Sequence, residues 1–65
     1  MIRIKELREE KDMLQDELAE AIGMTRQGVS AYETGIREPN IEKLIQIADV
    51  FDVSIDYLVG RTNKR

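Results

Sequence analysis

Residues 15–35 read QDELAEAIGMTRQGVSAYETG. Leu18, Ala19 and Ile22 recur at helical spacing. Gly23 follows them, as expected for the residue just past a helix C-terminus. Thr25 then offers a hydroxyl that can take a free backbone N–H of the next turn, which predicts an N-cap. A second helix is expected from Arg26 to Glu33, stopped by Thr34-Gly35. Two helices joined by a turn of three or four residues containing a glycine make a helix-turn-helix. The window from Ala21 to Tyr32 also holds no carboxylate, although the chain carries 13 acidic and 10 basic residues and a net charge of −3.

The flanking sequence is helical as well. Ile4, Leu7 and Arg8 share one face of a first helix, roughly residues 2–11, and Asp12 tolerates the backbone that ends it. The helix before Gly23 runs from about Gln15 to Ile22. "GIREP" is a loop closed by Pro39, which cannot continue a helix. Asn40 is the next N-cap. The helix from Ile41 to about Phe51 has apolar residues at 41, 44, 45, 47, 48 and 51, a stripe wide enough for a buried central helix. Ser54 caps a short fifth helix to Val59, with Val53 and Leu58 at the spacing of a hydrophobic staple. Gly60 ends it. The expected fold is all-α, a compact five-helix bundle. Residues 1–60 form the domain, and residues 61–65, RTNKR, form a short, frayed basic tail.

Composition narrows the function. A chain of 65 residues is one small domain with a modest core. It has no cysteine and no histidine. Zinc sites, thiolate chemistry and histidine acid–base catalysis are therefore outside its means. We expect no enzyme, no cofactor and no metal. No apolar run reaches the roughly 18 residues of a membrane span, and a cytoplasmic protein without membrane attachment is expected. A pI near 4.9 argues against indiscriminate binding to polyanions. A local site is still allowed, because screening confines charges to about 8–10 Å.

The helix-turn-helix supplies such a site. In a DNA reader, the N-terminal end of the second helix enters the major groove. Arg26 suits guanine and Gln27 suits adenine, each by a bidentate pair. Gln15 begins the preceding helix, where its amide and the helix N-terminus both suit a phosphate.

The segment LREEKDMLQDELAEAIGMTRQGVSAYETGIREPNIEKLIQIADVFDVSIDYLVG, Leu7 to Gly60, resembles the Cro/phage-repressor helix-turn-helix family, the λ-repressor-like DNA-binding domains. The resemblance implies a sequence-specific regulator of transcription, a repressor, bound to a near-palindromic double-stranded operator as a homodimer. It implies Gln15 on backbone phosphate, and Arg26 and Gln27 opening the recognition helix. Gly28 and Ala31 would face bases, and the Thr34–Arg37 loop would touch phosphate. Arg8 and Glu33 would form a structural ion pair.

With Thr25 and Ser30, the expected DNA-binding set is Gln15, Thr25, Arg26, Gln27, Gly28, Ser30, Ala31, Thr34 and Arg37. Ile55 and Val59 are the expected dimer contacts, since Ile55 has little core to enter. Several positions depart from the family pattern; Ala31 and Ile36 stand where polar or basic residues are common. Asp12 stands where glycine is usual, and Leu14 stands where Ser or Thr is usual. The helix that begins at Gln15 then lacks its common cap, at a cost of about 1 kcal/mol, unless Asp12 caps a helix that starts earlier. A protein-interaction module of the same fold, antitoxin-like or an anti-repressor component with weak DNA binding, is the alternative reading.

Overall fold

A computed structural model describes residues 2–65; residue 1, where the expected domain begins, lies outside the described residues. Five helices follow in order: α1 (Ile4–Glu10), α2 (Gln15–Ala21), α3 (Arg26–Thr34), α4 (Ile41–Phe51) and α5 (Ile55–Leu58). Helices of 4 to 11 residues are too short to persist alone, so packing must hold them.

The core that holds them draws on every helix. Ile4 and Leu7 of α1, Leu18 and Ala19 of α2, Val29 of α3, Ile47, Ala48 and Phe51 of α4, and Tyr57 and Leu58 of α5 are buried, as is Ile22 just after α2. Met13, Met24, Tyr32, Leu44 and Val53 pack around that cluster. Ile4 and Leu7 of α1, and Ile47, Ala48 and Phe51 of α4, recur at the spacing that puts apolar residues on one helical face.

Side-chain caps set three of the helix starts. Thr25 Oγ1 accepts from Gly28 N at 3.1 Å, Asn40 Oδ1 from Lys43 N at 2.9 Å and Ser54 Oγ from Tyr57 N at 3.0 Å. The start of α2 is different. Asp12 does not cap it: that residue has φ 53°, a left-handed backbone that ends the α1 region. Leu14 occupies the cap position with an extended backbone. Its N–H donates to Glu17 Oε1 at 2.8 Å. Leucine has no acceptor to return, so only one half of a reciprocal cap is formed.

The outer ends also differ from the sequence reading. α1 begins at Ile4 rather than residue 2, because Arg3 N donates to Leu58 O at 2.8 Å and ties the entering chain to α5. α5 is shorter than expected and ends at Leu58. The tail folds back onto Arg3, Glu10 and Tyr57. Arg3 donates to Asn63 Oδ1 at 2.7 Å and to Thr62 O at 3.3 Å. The Arg3 and Arg65 guanidinium carbons sit 4.4 and 5.1 Å from the Tyr57 ring centre, a cation–π arrangement. Arg65 also pairs with Glu10, which holds that carboxyl below its usual range. Any stability from this contact is present above the ordinary carboxylate range. It is lost as pH falls through the depressed value.

The turn between α2 and α3 depends on Gly23, at φ +67°. A Cβ there would meet no atom within 4 Å, so the cost of a side chain lies in the backbone alone. Gly23→Ala should destabilise the domain by about 1–2 kcal/mol. The check is a urea titration: the midpoint should fall while the slope stays that of the parent. An unchanged midpoint would mean that the turn does not need its glycine.

Candidate nucleic-acid interface

α2 and α3 pack against one another across the Gly23 turn. Val29 fills the core side of α3, and Tyr32 packs at the core edge. The opposite side is open. Thr25, Arg26 and Gln27 are exposed at the N-terminal end of α3, and Gly28, Ser30 and Ala31 are partly exposed behind them. Thr34 and Arg37 are exposed where α3 gives way to the loop. Gly35 makes that break with φ +80°.

Glu33, the acid that ends the carboxylate-free window, is turned inward. Arg8 Nε donates to Glu33 Oε2 at 2.8 Å, and Arg8 NH2 donates to Oε1 at 3.3 Å. The side chains are only 12 % and 5 % exposed. Arg8 NH1 donates to Met13 O at 2.8 Å. Glu33 holds the Arg8 guanidinium above its ordinary pKa, chiefly by the hydrogen bond, against the opposing effect of burial. Gln15 joins the same cluster, its Nε2 donating to Glu33 Oε1 at 3.0 Å. The ion pair thus ties α1 to α3 and fixes the orientation of the Gln15 amide. A Gln amide nitrogen has two hydrogens, and the second is left for an external acceptor.

The remaining hydrogen bonds sort the other polar groups. The Thr25 oxygen is engaged by Gly28 N–H, and its own proton is left to donate. The Thr34 hydroxyl points its one proton back at Ser30 O, 3.1 Å, and Ala31 O, 3.3 Å. It would need to turn before it could donate to a phosphate. At Gly28, an added Cβ would lie 2.6 Å from Met24 Cε. The missing side chain therefore makes room for a methionine methyl group on this face.

Arg8, Gln15 and Arg26 line one shallow pocket with Leu14 and Asp16. Thr34 and Arg37 line another, with Pro39, Leu44 and Val59. Val59 thus shares a groove with the loop, whereas Ile55, 36 % exposed, lies outside its lining. Besides the Gln15–Glu33 hydrogen bond, sequence reading missed two further contacts at this site. Asp16 pairs with Arg26, and Lys43 Nζ donates to Ile22 O, placing a cation at the end of α2 where the helix dipole favours it. The second has no short-range signature, because its partners are 21 residues apart.

An acid-free helix end presented by a helix-turn-helix, within five helices around one core, defines a λ-repressor-like domain. Residues 4–58 match the helix-turn-helix family, and the chain belongs to it, in its Cro/phage-repressor-type branch.

Among curated proteins, the HTH-type transcriptional regulator YqaE of Bacillus subtilis (strain 168) is 41 % identical over 63 residues, covering 95 % of this chain and 54 % of YqaE. This chain therefore spans about half the length of such regulators. Among solved structures, the P22 c2 repressor in complex with synthetic operator 9T superposes with a TM-score of 0.83. It is 30 % identical, over 88 % of this chain and 86 % of that one. A transcriptional regulator from Listeria innocua superposes with a TM-score of 0.85. It is 34 % identical, over 95 % of this chain and 58 % of that one.

Proposed function

We propose that this chain is the DNA-reading domain of a sequence-specific transcriptional regulator, a repressor acting in the cytoplasm by binding rather than by catalysis. The observation that carries the reading is the exposed N-terminal end of α3, where Arg26 and Gln27 stand two turns before the helix's one carboxylate, the inward-turned Glu33. Arg26, Gln27, Gly28 and Ala31 face the major groove. Gln15, Thr25, Ser30, Thr34 and Arg37 lie along phosphates. Residues 1–60 make up the reading domain, and residues 61–65 a short basic extension.

The operator is double-stranded and near-palindromic, and two copies occupy half-sites about 34 Å apart. Val59, in the groove beside the Arg37 loop, and Ile55 lie on the surface that joins them. Sedimentation with and without a palindromic duplex tests this. One copy per palindrome would overturn the dimer and leave the DNA reading intact.

The direct test is selection of bound duplexes in vitro, followed by footprinting. A discrete sequence should emerge. Arg37, exposed and without an ion pair among the described residues, is the phosphate contact most easily isolated. Arg37→Ala should lower the slope of log affinity against log salt by about one unit per subunit. It should weaken all duplexes alike, since phosphate contacts carry no direct sequence information. If no duplex is preferred, the DNA reading fails and the protein-interaction reading takes its place.

A further inference from the structure

Arg26 is the one basic residue between Ala21 and Tyr32, and in the unbound protein it does not stand alone. Its Nε lies 3.4 Å from Oδ1 of Asp16, in the first turn of α2. Both side chains are exposed, at 61 % and 72 %. Exposed ion pairs of this kind stabilise a fold little or not at all. The contact therefore bears mainly on where the guanidinium stands.

An arginine side chain is long and has many rotamers, and left alone it reaches phosphates as readily as base edges. Here the nitrogen in contact is Nε, the inner one. Neither terminal nitrogen of Arg26 hydrogen-bonds another group among the described residues. The two-pronged outer edge, which matches O6 and N7 of guanine, is left unspent. A carboxylate at this point also repels phosphate. It opposes any duplex that offers Arg26 only its backbone.

We propose that Asp16 is a specificity-determining positioning residue. It holds the inner edge of the Arg26 guanidinium, directs the outer edge to a guanine, and lowers affinity for duplexes that offer phosphate alone. Specificity is a difference of two affinities, and a repulsive group can supply it. This inference rests on the reading of α3 as the recognition helix.

The test uses Asp16→Asn, which removes the charge and keeps the shape. Binding is measured on the duplex selected by the parent, and on a series with one base pair changed at a time, at several salt concentrations. The variant should bind unrelated duplexes more tightly than the parent does. Discrimination at the guanine read by Arg26 should fall by about tenfold, within the range a single bidentate contact commands. Asp16→Glu, which restores the charge, should recover part of that discrimination. In an Arg26→Ala background, Asp16→Asn should leave discrimination unchanged, as a coupled pair requires. A thermal melt separates any loss of α2 stability, which would not alter a ratio between duplexes.

The inference is overturned if Asp16→Asn keeps the parent's discrimination at every base pair, or shifts it equally with Arg26 removed. If the parent itself selects no duplex, the recognition-helix reading fails and takes this inference with it. That outcome is read from the parent alone.

Discussion

Replacing Arg8 by alanine should cost the domain several kcal/mol, about 3–5 by comparison with other buried pairs broken on one side. Glu33, only 5 % exposed in the intact domain, would lose its counter-charge and keep Gln15 as its one remaining hydrogen-bond donor among the described residues. Met13 O would lose the hydrogen bond it accepts from Arg8. A chain of 65 residues has a total stability of only about 3–10 kcal/mol at typical values per residue. The melting temperature should therefore drop by about 12 °C or more, and a loss of about 5 kcal/mol would exceed the low end of that total stability. Arg8→Met combined with Glu33→Leu separates the two contributions. It removes both charges together, so most of the lost stability should return. A melting temperature for Arg8→Ala within about 2 °C of the parent would show that the pair does not hold α1 to α3.

On DNA the largest loss is expected from Gln27→Glu. The residue is exposed, and the change keeps its size, so the fold should be unaffected. Two losses combine. The amide donors that suit adenine disappear, at about 1–3 kcal/mol for a bidentate contact. A negative charge also enters the N-terminal end of α3, which carries no carboxylate of its own and which on the proposed reading faces the phosphates. Affinity for the selected duplex should fall by about a hundredfold or more at low salt, counting one contact from each subunit. Gln27→Ala provides the comparison: it should relax preference at one base pair and leave binding to unrelated duplexes near the parent's level. The difference between the variants should shrink as salt rises, since the repulsion is screened and the lost hydrogen bonds are not. Equal binding by the two at every salt concentration would mean that this end of α3 does not face phosphates.

Much of this was legible in the linear chain. Thr25, Asn40 and Ser54 act as N-caps over the three residues that follow them, so sequence alone located three helix starts. The period of α3 determined its apolar side, and that of α4 did so in part, since Ile41 and Ile45 of the expected stripe are exposed. Gly23 and Gly35 marked the two left-handed breaks that bound α3. The carboxylate-free window needs no coordinates to be seen. These features act over one or two helical turns, and their physics is complete within that span.

Tertiary structure decided what depends on partners far apart. The chain does not say that its last five residues fold back, because Arg65 meets Glu10 and Tyr57 only once packing brings the end of α1 and α5 within reach of one side chain. Nor does it say that Asp16 stands beside Arg26, since the crossing of α2 and α3 sets that distance. The start of α2 falls at Gln15, as its sequence suggests, but the role of Asp12 before it was open for a related reason. Asp12 could have served either as a cap or as a left-handed break. The choice fell to the break because Met13 N and Asp12 N close hydrogen bonds back onto Arg8 O and Glu9 O. A local preference names the candidates, and the packing of helices that cannot stand alone chooses among them.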